Sequence, residues 1–494
     1  MGEGLKNKSH GKSNGLSVDA ANGRSMRREG RVARDGDNSK TQKLFGTDGI
    51  RGLANIEPMT SETALRVGRA LAFIFKRTKG RRSHRILIGK DTRLSGYMLE
   101  WALASGICSM GADVLLVGPM PTPGIAFITR SMRADAGVVI SASHNPFHDN
   151  GIKVFSREGF KLDDRIEREI EELVFDHSVI GSLRPTADDI GKSFRIDDAI
   201  GRYIVFLKAC LPREMTFDGI KLVIDCANGA GYRVGPELLE ELGAEVIGIG
   251  VNPDGKNINH ESGVMHPARL RERVIAEKAD LGIALDGDAD RAVLIDSKGE
   301  AFDGDDVMAA LGISMKRQGT LRGNAVVATV MSNFGLERAL KENGIKLVRT
   351  EVGDPAVSRE MRANSYNLGG EQSGHVIFMD HSTTGDGLIT ALMVLAQMVD
   401  GGQSLSDLRA MKRVPQVLEN VKIRKRVPLE ELTRVRRSIE AAQKKLANCG
   451  RLLVRYSGTE MLARVMVEGE DPVVIKTMAA EIGAEIRREI GTGA

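Results

Sequence analysis

Cysteine is scarce in this chain of 494 residues, and no two cysteines form a CxxC pair. The four that occur are Cys108, Cys210, Cys226 and Cys449. Such wide spacing excludes a disulfide scaffold and a thiolate zinc site. It favours a reducing compartment, and we expect the protein to be cytoplasmic.

Long apolar runs are also missing. The longest mostly apolar stretch, residues 388–399, is interrupted by Thr390 and Gln397. It is shorter than the roughly 20 residues that a transmembrane helix needs. We therefore expect no membrane partner.

Most of the chain lacks an excess of charge of either sign. Residues 1–42 hold nine basic and five acidic side chains, and the remainder holds 61 of each. Because a nucleic-acid enzyme normally presents a basic face, we expect no nucleic-acid partner. Residues 1–42 are rich in Gly, Ser, Asn, Lys and Arg, which predicts a disordered basic tail. A targeting peptide and a start at Met26 stay open as alternatives.

The length predicts three or four domains, and a repeat divides the chain further. Three times, a strand with a polar end precedes a helix, a second strand, a helix and a third strand. We therefore predict an α/β fold: three similar α/β domains with mixed sheets plus a smaller C-terminal α+β domain, around a central cleft. The predicted domains I to IV are residues 43–198, 199–299, 300–413 and 414–494.

Each third strand ends in a polar loop, in the segments ISASHNPF, LDGDADR and GGEQSGH. In open α/β sheets the loops beyond the carboxyl ends of the strands face the ligand. If the three units pack with these loops towards one cleft, their side chains form one site.

Asp286, Asp288 and Asp290 alternate in the second of these loops. Three carboxylates gathered by a tight turn would repel one another without a hard divalent cation. An EF-hand is excluded, because Arg291 stands where glycine is needed and Ser297 where glutamate is needed. The alternative is a solvated acidic turn. Three protein ligands leave positions open for water or a phosphate oxygen, which suggests phosphoryl chemistry.

Ser143 follows a strand and precedes an Asn-Pro turn, which presents its hydroxyl on a loop. An ordinary turn serine is the alternative. A hydrolase elbow is a poor fit, because GxSxG is absent here and His144 is no natural base for its neighbour. Lys153 follows closely and would supply a positive charge or a proton relay.

Glu371, Ser373 and His375 lie at alternate positions of the third loop, where they can line one face of a pocket. Histidine's pKa near 6.5 suits proton exchange with a sugar hydroxyl. A structural histidine is the alternative for this loop by itself.

In domain IV a Ser-Gly-Thr turn between two strands is flanked by arginines, which predicts a phosphate clamp. A charged hairpin is the alternative. Near the start of domain I, Arg51 among glycines adds another cation that can approach a phosphate. The residues of the predicted clamp are Arg455, Ser457, Gly458, Thr459 and Arg464.

From Lys43 onward the chain resembles the α-D-phosphohexomutase superfamily. The resemblance rests on FGTDGIRG, ISASHNPFHDNGIK, LDGDADR, GGEQSGH and RYSGTE, which stand in the family's order. It implies interconversion of a hexose 6-phosphate and its 1-phosphate through a phosphoserine and a bisphosphate. Glucosamine phosphates, which feed amino-sugar nucleotide synthesis, are the substrates we expect; glucose or mannose phosphates, and an inactive sugar-phosphate-binding protein, stay open.

By this resemblance Ser143 carries the phosphate, and one of its oxygens completes a Mg²⁺ site with the three aspartates. Arg51, Lys153 and Arg291 support the transferring phosphoryl group, and His375 serves as acid and base. Priming comes from a hexose 1,6-bisphosphate, a kinase or autophosphorylation.

The resemblance also assigns Glu371 and Ser373 to the sugar hydroxyls and the clamp of domain IV to the phosphate that is not transferred. It implies one Mg²⁺ per chain and a domain IV that opens and closes, and it leaves a homodimer open. The chain departs from the family's usual residues at Glu351, Pro355, Tyr456 and Met461. These departures bear on phosphate affinity and sugar preference.

Overall fold

The computed structural model of the protein describes residues 43–46, 48–76, 84–176, 178–447, 449–457 and 460–492. They belong to one compact unit, Lys43–Ala494. The predicted disordered tail, residues 1–42, lies outside the described residues.

The first sheet has six strands: β1 (Ile50–Leu53), β2 (Arg85–Lys90), β3 (Asp113–Pro119), β4 (Ala136–Ile140), β5 (Asp149–Ser156) and β6 (Ser193–Arg195), in the order β1-β5-β4-β2-β3-β6. The helices of this unit are α1 (Ser61–Phe75), α2 (Ser95–Cys108), α3 (Thr122–Ser131), α4 (Asp164–Phe175) and α5 (Ser178–Gly181), with a 3₁₀ turn at Ala187–Asp189. Strand β4 is buried along its whole length, as its aliphatic sequence AGVVI requires.

The second sheet contains β7 (Lys221–Asp225), β8 (Glu245–Ile249), β9 (Leu281–Leu285), β10 (Ala292–Asp296) and β11 (Ala301–Phe302), in the order β11-β10-β9-β7-β8. Its helices are α6 (Ala199–Lys208), α7 (Val234–Glu241) and α8 (Ala268–Glu277). The predicted boundary between residues 299 and 300 falls inside the β10–β11 hairpin, because Ala301 and Phe302 pair with β10.

The third sheet contains β12 (Ala325–Thr329), β13 (Lys346–Thr350), β14 (Leu368–Gly370) and β15 (Val376–Phe378), in the order β13-β12-β14-β15. Its helices are α9 (Gly304–Arg317), α10 (Phe334–Glu342), α11 (Asp354–Asn364) and α12 (Gly387–Gly401), with a 3₁₀ turn at Arg322–Asn324. A capping box formed by Asp303 and Asp306 begins α9.

The three sheets share one topology, which confirms the predicted repeat. In each, the first strand of the unit lies between the second and the third, and all three run parallel. An antiparallel strand then follows the third strand, so the sheets are mixed as predicted. Each predicted functional loop connects a third strand to its antiparallel neighbour.

The C-terminal unit has a three-stranded antiparallel sheet, β16 (Gln416–Lys422), β18 (Leu462–Gly469) and β17 (Gly450–Tyr456) in spatial order. Its helices are α13 (Thr433–Leu446) and α14 (Pro472–Ile490), preceded by a 3₁₀ turn at Leu429–Glu431. This is the predicted α+β domain.

The hydrophobic core joins the first three units. One buried cluster includes Phe155, Leu285 and Val376, one residue from each of the three α/β units. The C-terminal unit has a separate core around Val465 and Ile482. The three polar loops therefore rest on a common packed body. Within the described residues, no helix combines the length and the apolar character needed to cross a membrane.

Candidate active site

The polar loops after β4 and β9 meet in the structure. A β-carbon on Gly287 would lie 2.5 Å from the carbonyl oxygen of Ser143, so only glycine permits this approach. Opposite it, the Ser143 hydroxyl donates a hydrogen bond of 2.6 Å to Oδ2 of Asp286. The structure thus brings the predicted phosphate carrier directly to the predicted metal site.

Ser143 is held in an uncommon backbone conformation. Its φ is 51°, in the left-handed region, and its side chain is buried. Such a conformation costs energy for a residue other than glycine, and surrounding contacts must maintain it. One of these contacts is a hydrogen bond of 2.9 Å from the Ser143 amide to Oγ of Ser141, which itself bonds Asp91.

A buried arginine, Arg93, organises the Ser143 loop from beneath. Its guanidinium pairs with Asp91 at 2.8 Å. The same guanidinium donates to the backbone carbonyls of Ser143, Asn145, Pro146 and Asp149. The side-chain amide of Asn259 donates to two of these carbonyls as well, those of Ser143 and Asn145. Arg93 was not among the residues predicted for the site, although it follows the first strand of the repeat.

The three aspartates form a buried cluster whose donor atoms lie within 4.8 Å of one another. Burial and the charges of Asp290 and Asp288 raise the pKa of Asp286 well above its usual range. Among the described residues, the Oδ1 atoms of Asp288 and Asp290 have no hydrogen-bond partner. Converging carboxylates with unused oxygens fit a hard divalent cation, so this cluster could hold a metal ion.

Lys153 lies against the acidic cluster and is buried. Its ammonium is 3.0 Å from Asp288 and 3.2 Å from Asp48. Burial lowers the pKa of Lys153, but the neighbouring carboxylates, Asp288 first, raise it further, and the net result is above the usual range. Of the two predicted roles, these contacts favour a permanent positive charge over a proton relay.

Arg51 and Arg291 add positive charge on the same side of the site. Arg51 donates to Asp48 at 2.6 Å, and Arg291 lies 3.7 Å from Asp290. Their buried Nε atoms have no hydrogen-bond partner within the described part of the chain. Burial, with the charges of both arginines, lowers the pKa of the nearby His144 to about 4. The region is therefore suited to an anion.

His375 reaches the cluster from the third unit. Its Nδ1 is 3.6 Å from Oδ2 of Asp290, and its Nε2 accepts from the amide of Gly385 at 3.1 Å. Burial lowers the pKa of His375, but the charge of Asp290 more than offsets this and raises it. Both ring nitrogens are engaged, so proton exchange with a ligand hydroxyl requires one of these contacts to open.

Glu371 and Ser373 lie beside His375 on the same loop. The hydroxyl of Ser373 donates to Glu371 at 3.4 Å, and the other carboxylate oxygen of Glu371 accepts from the amide of Gly353 at 3.1 Å. The charge of Glu371 also contributes to the raised pKa values of Arg291 and His375. Ser373 is exposed and contacts Glu371, whose charge acts on two residues of the cluster.

The predicted clamp of domain IV is separate from this cluster. Arg455 and Arg464 lie directly opposite each other on β17 and β18, and Ser457 is buried at the end of β17. Gly458 and Thr459 lie outside the described residues. No hydrogen bond or ion pair of the described residues joins Arg455, Ser457 or Arg464 to the Ser143 cluster; Arg455 instead lies 3.8 Å from Sδ of Met331 in domain III.

The residues that depart from the family's usual sequence are accommodated by the fold. Pro355 lies in the first turn of α11, where a missing amide donor costs no helical hydrogen bond. The hydroxyl of Tyr456 donates to the carbonyl of Val427 at 2.5 Å. Glu351 and Met461 are exposed.

Family models match most of the chain. The phosphoglucomutase/phosphomannomutase alpha/beta/alpha domains I, II and III match residues 42–179, 202–299 and 303–414, and the C-terminal domain matches residues 415–485. These matched ranges follow the order of the four predicted domains.

Relatives agree in sequence over nearly the whole matched region. A phosphoglucosamine mutase of Syntrophotalea carbinolica is 57% identical over 451 residues, covering 91% of this chain and 98% of the relative. One from Anaeromyxobacter sp. is 58% identical over 454 residues, covering 91% and 96%.

Solved structures share the fold at lower identity. A phosphoglucomutase/phosphomannomutase family protein from Burkholderia thailandensis superposes with a TM-score of 0.75 at 22% identity, covering 91% of this chain and 99% of that one. The N-acetylphosphoglucosamine mutase of Aspergillus fumigatus, solved with GlcNAc-6P and magnesium, gives 0.62 at 18% identity, covering 91% and 96%. The four matched domains and the relatives of 57–58% identity show that this chain belongs to the phosphoglucomutase/phosphomannomutase family, the α-D-phosphohexomutases.

Proposed function

We propose that the protein interconverts glucosamine 6-phosphate and glucosamine 1-phosphate through a phosphorylated Ser143. The observation that carries the proposal is the 2.6 Å hydrogen bond from Ser143 to Asp286 inside a cluster of three buried carboxylates. The names of the relatives with more than half of their residues identical support the choice of sugar.

In this proposal Ser143 donates its phosphoryl group to one hydroxyl of the sugar monophosphate, and the bisphosphate then reverses its orientation. Its other phosphoryl group returns to Ser143. Asp286, Asp288 and Asp290 would hold Mg²⁺ with an oxygen of the phosphoserine, and the ion supplies charge neutralisation at the phosphoryl oxygens. The buried aspartates, two of them with unused oxygens, fit that ion.

The cationic side chains would position the phosphoryl group and spread its charge. Arg51, Lys153 and Arg291 lie within or beside the acidic cluster, and the first and last have an unused Nε–H donor. Phosphoryl transfer depends mainly on such positioning and electrostatic stabilisation. Arg93 holds the Ser143 loop and has no role in the chemical step.

His375 would move the proton of the reacting sugar hydroxyl, and Glu371 with Ser373 would hold other hydroxyls. The clamp of Arg455, Ser457, Gly458, Thr459 and Arg464 would bind the phosphate that is not transferred. Since no described contact joins the clamp to Ser143, domain IV would close over the sugar before transfer. Priming by a hexose 1,6-bisphosphate would load Ser143 initially; a kinase and autophosphorylation are the other sources.

The product would enter amino-sugar nucleotide synthesis, and we place the reaction in the cytoplasm. The four unpaired cysteines are consistent with a reducing compartment. The oligomeric state, with a homodimer as the hypothesis, can be measured by light scattering.

Phosphorus NMR tests the choice of substrate. The protein receives Mg²⁺ and a trace of glucose 1,6-bisphosphate, with the 6-phosphates of glucosamine, glucose and mannose in separate tubes. The 1-phosphate signal should grow fastest from glucosamine 6-phosphate. Faster growth from glucose or mannose would identify a phosphoglucomutase or phosphomannomutase instead. No growth from any sugar would indicate a binding protein or a Ser143 that carries no phosphate.

A further inference from the structure

A lysine that the proposed mechanism does not use, Lys161, connects two domains beside the active site. It lies in the loop between β5 and α4, and its side chain is 17% exposed. Its ammonium is 2.5 Å from Oδ1 of Asp48 in domain I and 2.8 Å from Oδ2 of Asp354. Asp354 is the first residue of α11 in domain III. Lys161 therefore binds a carboxylate of each domain at once.

These contacts complete a closed ring of ionisable groups. From Asp354 the ring continues to Nε2 of His375 at 3.7 Å, and from Nδ1 of His375 to Asp290 at 3.6 Å. It returns from Asp290 to Lys153 at 3.8 Å, and from Lys153 to Asp48 at 3.2 Å. We call this set the charge ring; its members are Lys161, Asp48, Lys153, Asp290, His375 and Asp354.

The ring contains groups from three domains, and it passes from domain I to domain III through Lys161 and Asp354. Asp48 keeps other cationic partners without Lys161, because Arg51 and Lys153 also contact it. Asp354 has fewer cationic partners: within the described part of the chain, its ion pairs are to Lys161 and His375. Loss of Lys161 would therefore release Asp354 first.

We propose that Lys161 is a positioning residue. It fixes Asp354, and through Asp354 it fixes the imidazole of His375 relative to Lys153 and Ser143. The inference rests on the proposed function, because the proposed function assigns proton transfer to His375. Burial lowers the pKa of Lys161, but Asp354 and Asp48 raise it more, so the ammonium stays charged and moves no proton.

A contribution to folding stability alone does not explain why Lys161 and its two carboxylate partners are buried here. A buried ion pair contributes little compared with well-packed apolar side chains, because desolvation offsets most of the attraction. The directional contacts of an ammonium with two carboxylates, by contrast, fix the relative positions of the elements that carry them.

Two substitutions at Lys161 separate the effect of the charge, which positions Asp354, from the effect of the size of the side chain. Lys161→Met removes the charge and keeps the length, whereas Lys161→Arg keeps the charge. A cavity of about 200 Å³ beside Lys161 and Asp354 leaves room for the larger guanidinium. Lys316→Met is the matched control: Lys316 is also partly buried and donates to two backbone carbonyls, but it lies near the opposite end of α9 from the active site.

We expect Lys161→Met to lower kcat about 10- to 100-fold, as displaced reacting groups do, with KM changed less than about threefold. Lys161→Arg should recover most of kcat, and Lys316→Met should match the wild type. Wild-type kcat in Lys161→Met, or an equal loss in Lys316→Met, would overturn the proposal. So would a loss confined to KM.

A second substitution keeps the test valid if Lys161→Met folds poorly. Asp354→Asn breaks the same contact from domain III, and the double variant Lys161→Met/Asp354→Asn should lose no more kcat than the worse single variant. If the loss of kcat in the double variant equals the product of the two single losses, the proposal is overturned.

Hydrogen exchange distinguishes failure of this inference from failure of the proposed function. Lys161→Met should speed amide exchange in α11, and Lys316→Met should not, whatever the substrate. If the wild type turns over no hexosamine phosphate, the proposed function fails while this readout still tests the connection of the domains. Unchanged exchange in α11 would overturn that connection.

Discussion

Replacing Arg93 by lysine tests whether the Ser143 loop is held by a guanidinium fork rather than by charge alone. Arg93 is fully buried and donates to Asp91 and to four backbone carbonyls of the loop. A lysine ammonium has three donors on a single nitrogen and cannot reach all five acceptors. Asp91 keeps its charged partner in the variant, so the substitution isolates the geometry of the fork.

The loss of stability in Arg93→Lys follows from the number of acceptors that lysine leaves without a hydrogen bond. At least two lose their bond, and an unpartnered buried acceptor costs about 1–3 kcal/mol. Three of the four carbonyls keep a partner, because Asn259 also donates to those of Ser143 and Asn145 and the Asp149 amide donates to that of Pro146, which favours the lower half of the range. We expect the body that contains domain I to lose about 2–4 kcal/mol of unfolding free energy. Displacement of the Ser143 hydroxyl should lower kcat about 100-fold.

Guanidinium unfolding followed by circular dichroism measures the first effect, and the NMR assay measures the second. Arg202→Lys is the control, because Arg202 forms an exposed ion pair with Asp198 and should change neither quantity. A variant Arg93→Lys with wild-type stability and wild-type kcat would refute the idea that the fork holds the loop.

Three further predictions concern the metal, the pH dependence and domain IV. EDTA should abolish turnover and added Mg²⁺ should restore it; full activity in EDTA would contradict the metal site. Burial and the charge of Asp303 raise the pKa of Asp305 to about 7, from 3.8. The folded protein thus binds this proton more tightly than the unfolded chain. The unfolding free energy should therefore fall as the pH rises from 3.8 to about 7. Asp305→Asn should therefore gain on the wild type at about pH 8 and not at about pH 4 in guanidinium unfolding; an equal gain at both would contradict the assignment. Glu468 pairs with Arg451 at 2.7 Å within domain IV, and both side chains also form hydrogen bonds with residues 330–334 of domain III. Glu468→Gln removes the charge that holds Arg451 in this arrangement and should destabilise the docking of domain IV by about 3–5 kcal/mol, seen as faster hydrogen exchange in β18. Unchanged exchange would show that the pair does not hold domain IV.

The sequence predicted the repeated α/β architecture and the loops that meet at the site. Both follow from local signals: buried aliphatic strands, and polar residues directly after the third strand of each unit. Ser143, Asp286 and His375 all lie on such loops, and their convergence follows from the shared topology of the three sheets.

The supporting residues could not be predicted in this way, because their partners are distant in the chain. Lys161 and Asp354 are 193 positions apart, and neither belongs to a motif that suggests the contact. Arg93 binds mainly backbone carbonyls, which carry no sequence signal. The relation of the clamp in domain IV to Ser143 is also beyond the sequence, since it depends on how two separate cores pack.

Mapping the phosphate during turnover tests the central claim most directly. The protein is loaded with a hexose 1,6-bisphosphate, the phosphorylated residue is identified by peptide mass spectrometry, and glucosamine 6-phosphate is then added in a rapid-quench experiment. We predict phosphate on Ser143, transferred to the sugar at least as fast as kcat, and neither phosphorylation nor turnover in Ser143→Ala. Phosphate on another residue, or turnover by Ser143→Ala, would contradict the account.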